Sequence, residues 1–142
     1  MLVKQISVFV ENKPGKIADI LKVLADNNID IGALALADTT DFGILRMIVN
    51  DADMAKKLLR DVGFVVKTTD VIAVSMEHRA GGLAEVLDVV KAGDNTIEYM
   101  YAFSTREASN AMTVLKVSNP QMALDALKAA GVKVADKLAI FG

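Results

Sequence analysis

The chain has 142 residues, 53% of them hydrophobic and 24% charged, with a formal net charge of −2 and no cysteine. That apolar fraction is enough for a substantial core and excludes disorder, while Lys and Arg scattered among acids exclude a phosphate-gripping nucleic-acid surface. The lack of cysteine removes disulfides, thiolate nucleophiles and Cys-based metal sites together, and fits a cytoplasmic protein.

The first residues, MLVKQISVFVENKPG, carry Lys4 inside their apolar stretch and lack a signal-peptide cleavage pattern. No apolar run approaches the roughly 20 residues that span a bilayer, so the expectation is a soluble, unprocessed protein with no membrane partner. Val3–Val10 reads as a strand. Gly15–Asn27 reads as a helix, because Ile17, Ile20, Leu21 and Leu24 recur at helical spacing with Lys16, Asp19, Lys22 and Asp26 opposite. A strand over Asp30–Ala37, a turn through Asp38-Thr39-Thr40-Asp41 and a strand over Phe42–Val49 follow. Asp51 suits an N-cap for a second helix running to about Val62, which Gly63 ends, and Phe64–Thr68 reads as the fourth strand.

The pattern then starts again. Shifted by 66, ENKPGKIADILKVL (11–24) falls on EHRAGGLAEVLDVV (77–90), with Glu11/Glu77, Gly15/Gly81, Ala18/Ala84, Leu21/Leu87 and Val23/Val89 identical. Shifted by 68, VNDADMAKKLLRDVGFVV (49–66) falls on VSNPQMALDALKAAGVKV (117–134). A two-residue insertion near Gly93-Asp94-Asn95, a natural loop tip, accounts for the change of shift. The second unit thus has a strand over Val71–Met76, a helix with Leu83, Val86, Leu87 and Val90 on its apolar face, and a last helix opened by Asn119-Pro120 and closed by Gly131. Val132–Ala135 is its final strand, and the apolar Leu138–Phe141 reads either as an extra edge strand or as a tail.

The order is βαββαβ twice, over residues 1–69 and 70–142. The fold class is α+β: two tandem ferredoxin-like units, each an antiparallel sheet with its helices on one face.

A strand, then ENKPGKIADILKVLADNNIDI, then strand–turn–strand and a second helix, resembles an ACT domain. The Asn-Lys-Pro-Gly loop, the Ile17/Leu21/Leu24 helix face and Asn-Ile-Asp-Ile carry the resemblance, and EHRAGGLAEVLDVVKAGDNTIEYMYAF resembles the same motif with its Pro replaced by Ala80. The resemblance covers essentially the whole chain. It implies a regulatory module that binds an amino acid or related small metabolite and associates through sheets and first-helix faces, as a homodimer or with a metabolic enzyme partner. It also implies that ligand contacts fall at the Asn12 position and at the start of the second strand, Asp30, with His78 and Glu98 as the counterparts.

Physical chemistry agrees on the loop. Asn12-Lys13-Pro14-Gly15 joins a strand end to a helix start, where free N–H groups and the helix dipole favour a carboxylate; Gly15 permits close approach and Pro14 stiffens the turn. The alternative is that Asn12 merely caps the helix. An acid at Asp30 and Glu98 suits a ligand ammonium group, although both also read as solvated strand-end acids. Tyr99, Tyr101 and Phe103 alternate along one strand where repeat one has Ile31, Ala33 and Ala35, so either they pack under the helices or they form a surface that lines a ligand interface. The candidate ligand residues are therefore Asn12, Lys13, Pro14, Gly15, Asp30, His78, Gly81, Glu98, Tyr99 and Tyr101, with repeat one as the ligand loop and repeat two as the packing surface.

His78 is the sole histidine, so no metal set and no base–nucleophile set assembles around it. Gly81-Gly82 is too short for a phosphate loop, and Asp38 and Asp41 fit turn hydrogen bonding. No catalysis, cofactor or metal is expected. Function reads as ligand-dependent regulation, acting through the arrangement of domains or of a dimer. The alternative is a regulatory subunit that needs no ligand.

Overall fold

The computed structural model describes residues 1–38, 41–104 and 110–141, with the side chains of Asp38 and Ser104 outside the description. The central turn at Thr39-Thr40 lies outside the described residues. The elements run β1 (Val3–Glu11), α1 (Lys16–Asp26), β2 (Ile31–Asp38), β3 (Phe42–Val49), α2 (Ala52–Asp61), β4 (Val65–Glu77), α3 (Gly82–Ala92), β5 (Ile97–Ser104), β6 (Asn110–Val117), α4 (Pro120–Ala129), β7 (Lys133–Ala135) and α5 (Lys137–Phe141). Contacts divide the chain into two compact units, Lys4–Thr69 and Asp70–Gly142, with Met1–Val3 grouped with the latter.

In the first unit β3 lies between β2 and β1, antiparallel to both, and β1 neighbours β4. The alternation of β1 sends Ile6, Val8 and Val10 to one face, where they meet Leu45, Met47 and Val49 of β3 and Val66 of β4. Ile20 and Leu24 of α1 and Ala55 and Leu59 of α2 close over the same face, so both helices lie on one side of the sheet. The second unit repeats this plan, with β6 between β5 and β4, and β7 on the other side of β4. Its core joins Ile72, Val74, Leu115 and Val117 to Val86 and Val90 of α3 and Ala123, Leu124 and Leu127 of α4. The ferredoxin-like reading of both repeats matches this architecture.

Helix ends follow a common rule. The Phe64 amide donates to the Leu59 carbonyl at 3.0 Å and the Gly63 amide to Arg60 at 3.0 Å, with Gly63 at φ +97°. The same double bond closes the other long helices at Asn28 (φ +58°), Asp94 (φ +56°) and Gly131 (φ +77°). Asp51 caps α2, its side chain accepting from the Met54 amide at 3.1 Å, whereas Asn119 makes no side-chain cap to α4.

Three expectations need correction. Phe64–Thr68 and Val71–Met76 are not separate strands: β4 is one strand of 13 residues, because Thr68-Thr69-Asp70 contains no Gly or Pro to break it. Leu138–Phe141 is neither strand nor tail but part of α5, started by Asp136, whose carboxylate accepts from the Ala139 amide at 2.8 Å.

The third concerns the insertion. Ile31 pairs with Val49 and Ala33 with Ile48, while Ile97 pairs with Val117 and Tyr99 with Lys116. The shift is therefore still 66 through β5, and the two extra residues fall between Ser104 and Asn110 rather than at Gly93-Asp94-Asn95. The counterpart of Asp30 is Thr96, not Glu98: the Asp30 amide donates to Asn50 Oδ1 at 2.9 Å and the Thr96 amide to Ser118 Oγ at 3.0 Å. Likewise Tyr99, Tyr101 and Phe103 correspond to Ala33, Ala35 and Ala37.

Candidate functional site

Each unit presents one exposed loop between its first strand and first helix. In the first unit the chain leaves β1 at Glu11, turns through Asn12-Lys13-Pro14 and enters α1 from Gly15, held left-handed at φ +82°. That conformation is open to glycine at little cost. No side chain caps α1, so Asn12 is not its cap, and among the described residues nothing accepts from the Ile17 or Ala18 amides. Lys13 Nζ reaches Glu11 at 2.9 Å; the hydrogen bond and the charge of Lys13 hold the Glu11 carboxyl below its ordinary range, and Glu11 raises Lys13 in return.

The second loop is built more tightly. Gly81 is left-handed at φ +87°, again with no side-chain cap on α3. Arg79 Nε meets Glu77 at 2.8 Å and its terminal nitrogen meets Glu85 at 2.6 Å, which raises its already high pKa and ties the strand end to the helix. Gly82 sits so close that a Cβ there would lie 2.6 Å from the Glu77 carbonyl oxygen. Repeat one has Lys16 at that position, so the two loops are not copies in detail.

Beside the second loop lies an open groove of about 490 Å³. Met76, Val86, Val89 and Val132 give it an apolar lining, and Glu77, Arg79, Glu85 and Asn110 contribute polar groups. The Ala130–Val132 turn after α4 completes it, and the left-handed Gly131 shapes that turn. Sequence periodicity offered no sign of Val132 or Asn110 as lining residues, since they are remote from the loop along the chain. Their places follow from the Glu77–Asn110 pairing and from β7 running beside β4.

The ten expected site residues do not gather in one place within a unit. Asn12, Lys13, Pro14 and Gly15 form the exposed loop at the Glu11 end of β1, opposite Phe42. Asp30 is exposed at the far end, before Ile31, which pairs with Val49. Seven steps along β3 at about 3.3 Å each separate those ends by roughly 23 Å. His78 and Gly81 are exposed in the second loop, while Glu98 is exposed beside Ile97 at the opposite end of the second sheet. Tyr99 and Tyr101 are half-buried and lie opposite Lys116 and Val114, on the face away from α3 and α4, so they are not packed under those helices. Among the described residues no cluster of His, Cys, Asp and Glu could hold a metal, and no helix is long and apolar enough to cross a membrane.

The chain matches the family model described as ACT domain pair over residues 1–114. No curated protein matches it. Among solved structures, protein BT0572 from Bacteroides thetaiotaomicron is similar at 41% identity and TM-score 0.90, with 95% of this chain and 92% of that one covered. The ligand-free regulatory subunit of aspartate kinase from Thermus thermophilus is similar in fold at TM-score 0.66 and 18% identity, covering 89% of this chain and 91% of that one. The corresponding subunit from Thermus flavus gives 0.63 and 19%, covering 90% and 92%. With most of its length matched and the repeated βαββαβ plan in place, the chain belongs to the ACT domain pair family.

Proposed function

We propose that this is a cytoplasmic, non-enzymatic regulatory protein that binds an amino acid or a closely related acid and passes the binding event to a partner. The observation that carries the reading is the pair of β–α loops: each starts a helix from a left-handed glycine with no side-chain cap, which leaves first-turn amides open to a carboxylate. The neighbouring groove supplies valine surface for an apolar side chain and carboxylates for an ammonium group. Membership of the ACT domain pair family and similarity to aspartate kinase regulatory subunits support a regulatory, ligand-binding role in general.

A homodimer accounts for the dispersed residues. Asn12 and Asp30 act on one ligand only if they come from different copies, since they lie at opposite ends of one sheet. Edge strand β2 suits the pairing: no charge interrupts Ile31–Ala37, and Leu34 and Leu36 are 50% and 55% exposed. Antiparallel pairing centred on Ala35 sets Leu34 against Leu36 and carries Asp30 of one copy toward the Asn12 end of the other. Centring on Leu34 would oppose Asp30 and Asp38.

The test is a thermal-shift screen against the amino acids and derived acids. A bound ligand raises stability by about 2.7 kcal/mol at a hundredfold excess over Kd. We expect one chemical group of ligands to shift the transition and Gly15→Val to abolish that shift. Flat responses throughout, from a protein that still dimerises, would favour a subunit that regulates an enzyme without a ligand.

A further inference from the structure

The duplication allows the groove of the second unit to be compared, position by position, with the same place in the first. The repeat aligns Val132 with Phe64, Ala130 with Val62, Val86 with Ile20 and Gly82 with Lys16. At each of these the second unit has the smaller side chain. Phe64 is half-buried and packs its ring against the first core. Val132 packs against the second core in the same way but is too short to fill the space of a ring. Of the described apolar lining residues only Met76 is larger than its counterpart, Val10, and an unbranched thioether chain adapts readily to what it meets. Space left open beside a core forfeits the contacts a ring would make there. Phe64 shows that this fold accepts a ring at that place, so the room on the second unit needs another cause.

The charged positions change in the opposite sense. Glu85 stands for Asp19 and Arg79 for Lys13, both longer, and Lys133 stands for Val65. Arg79 meets Oε2 of Glu77 at 2.8 Å and Oε2 of Glu85 at 2.6 Å, while the second oxygen of each glutamate makes no bond among the described residues. One cation between two carboxylates leaves a negative charge over, and an ammonium group is what such a bracket takes. Lys133, on the same lining, brings the acids and bases into balance, which suits a ligand without net charge.

We infer that the second unit's groove seats the ligand's side chain, and that this side chain is large and apolar, a phenyl ring or an isobutyl group, in the room that Phe64 fills in the first unit. The ligands are then the apolar α-amino acids, with the ammonium group held by Glu77 and Glu85. This rests on the amino-acid reading above and adds to it the side chain and the unit that seats it. The volume of about 490 Å³ lies within the range of about 300–1,000 Å³ usual for small-molecule sites.

The test is isothermal titration of the full chain with L-phenylalanine, L-leucine and L-alanine. An apolar pocket discriminates by about 10–200-fold per methylene, so phenylalanine and leucine should bind about tenfold or more tighter than alanine. Val132→Phe installs the first unit's own residue. It should raise the dissociation constant for phenylalanine by about tenfold or more, while the melting temperature of the free protein does not fall. An amide NMR titration of the wild type locates the site without a variant, and decides the matter if Val132→Phe melts lower: phenylalanine should move the Val86, Val89 and Val132 signals. Phenylalanine bound equally by a stable Val132→Phe protein, or bound without moving those signals, overturns the inference and leaves the amino-acid reading standing. Binding confined to small or polar amino acids does the same. If no amino acid or derived acid binds at all, both fall together.

Discussion

Replacing Gly82 with Ala adds one methyl group at the point where the second loop is tightest. That carbon would lie 2.6 Å from the Glu77 carbonyl oxygen, so restoring an ordinary contact of 3.4 Å requires an opening of about 0.8 Å between backbone segments. Neither side can yield by rotating a side chain. The Glu77 carbonyl accepts from the Arg79 amide at 2.9 Å, and the Gly82 amide donates to the Arg79 carbonyl at 3.1 Å, so the shift distorts both bonds of the turn. Overpacking of this kind costs about 1–3 kcal/mol. At about 4–8 °C per kcal/mol for a domain of 60–100 residues, the transition of the second unit should fall by roughly 5–20 °C. Differential scanning calorimetry checks this, with Lys16→Ala as the control at the equivalent position of the first unit, where a change within about 0.5 kcal/mol is expected. A Gly82→Ala protein that melts with the wild type would refute the close approach, and with it the account of why the two loops differ.

Asp51→Ala should destabilise the chain by about 1 kcal/mol in urea titrations, whereas Asn119→Ala should cost much less, because only Asp51 bonds a helix amide. Asp94→Gly should stabilise by about 0.5–1 kcal/mol, since a left-handed non-glycine residue costs about 1–2 kcal/mol before glycine's own entropy is charged against it. An NMR titration should place the Glu11 carboxyl below its ordinary value of 4.5, and Lys13→Ala or high salt should return it toward that value. The sign follows from the depressed value: the pair's small stabilisation is present above pH 4.5 and is lost as the pH falls through the lowered pKa.

The fold was legible because two periods alternate along the chain: Ile6, Val8 and Val10 at spacing two, then Ile20 and Leu24 at helical spacing. The end of the chain was not, since four apolar residues carry no period long enough to separate strand from helix, and the deciding group is the Asp136 carboxylate. The loops were readable from Gly15 and Gly81, whose left-handed conformations side chains resist. The separation of Asn12 from Asp30 could also have been foreseen. The 11 residues of α1 carry the chain back about 16 Å, so whatever follows the helix starts at the other end of the sheet. The groove could not, because Val132 and Asn110 reach it through the pairings of β7 and β6 with β4, which no local pattern reports.

The pairing defects at Ile31/Ala33 and Ile97/Tyr99 act as a half-period phase slip in a two-residue wave. Ile31 and Ile97 belong to the cores beneath the helices, and two residues later Ala33 and Tyr99 face the other way. Deleting Gly32 or Glu98 would remove the slip and restore plain alternation, with the strand's first residue still in the core and the remainder still facing away. Both units carry the slip at the same point, so it was copied with the duplication. After it, the same phase displays alanines on one copy and Tyr99, Tyr101 and Phe103 on the other.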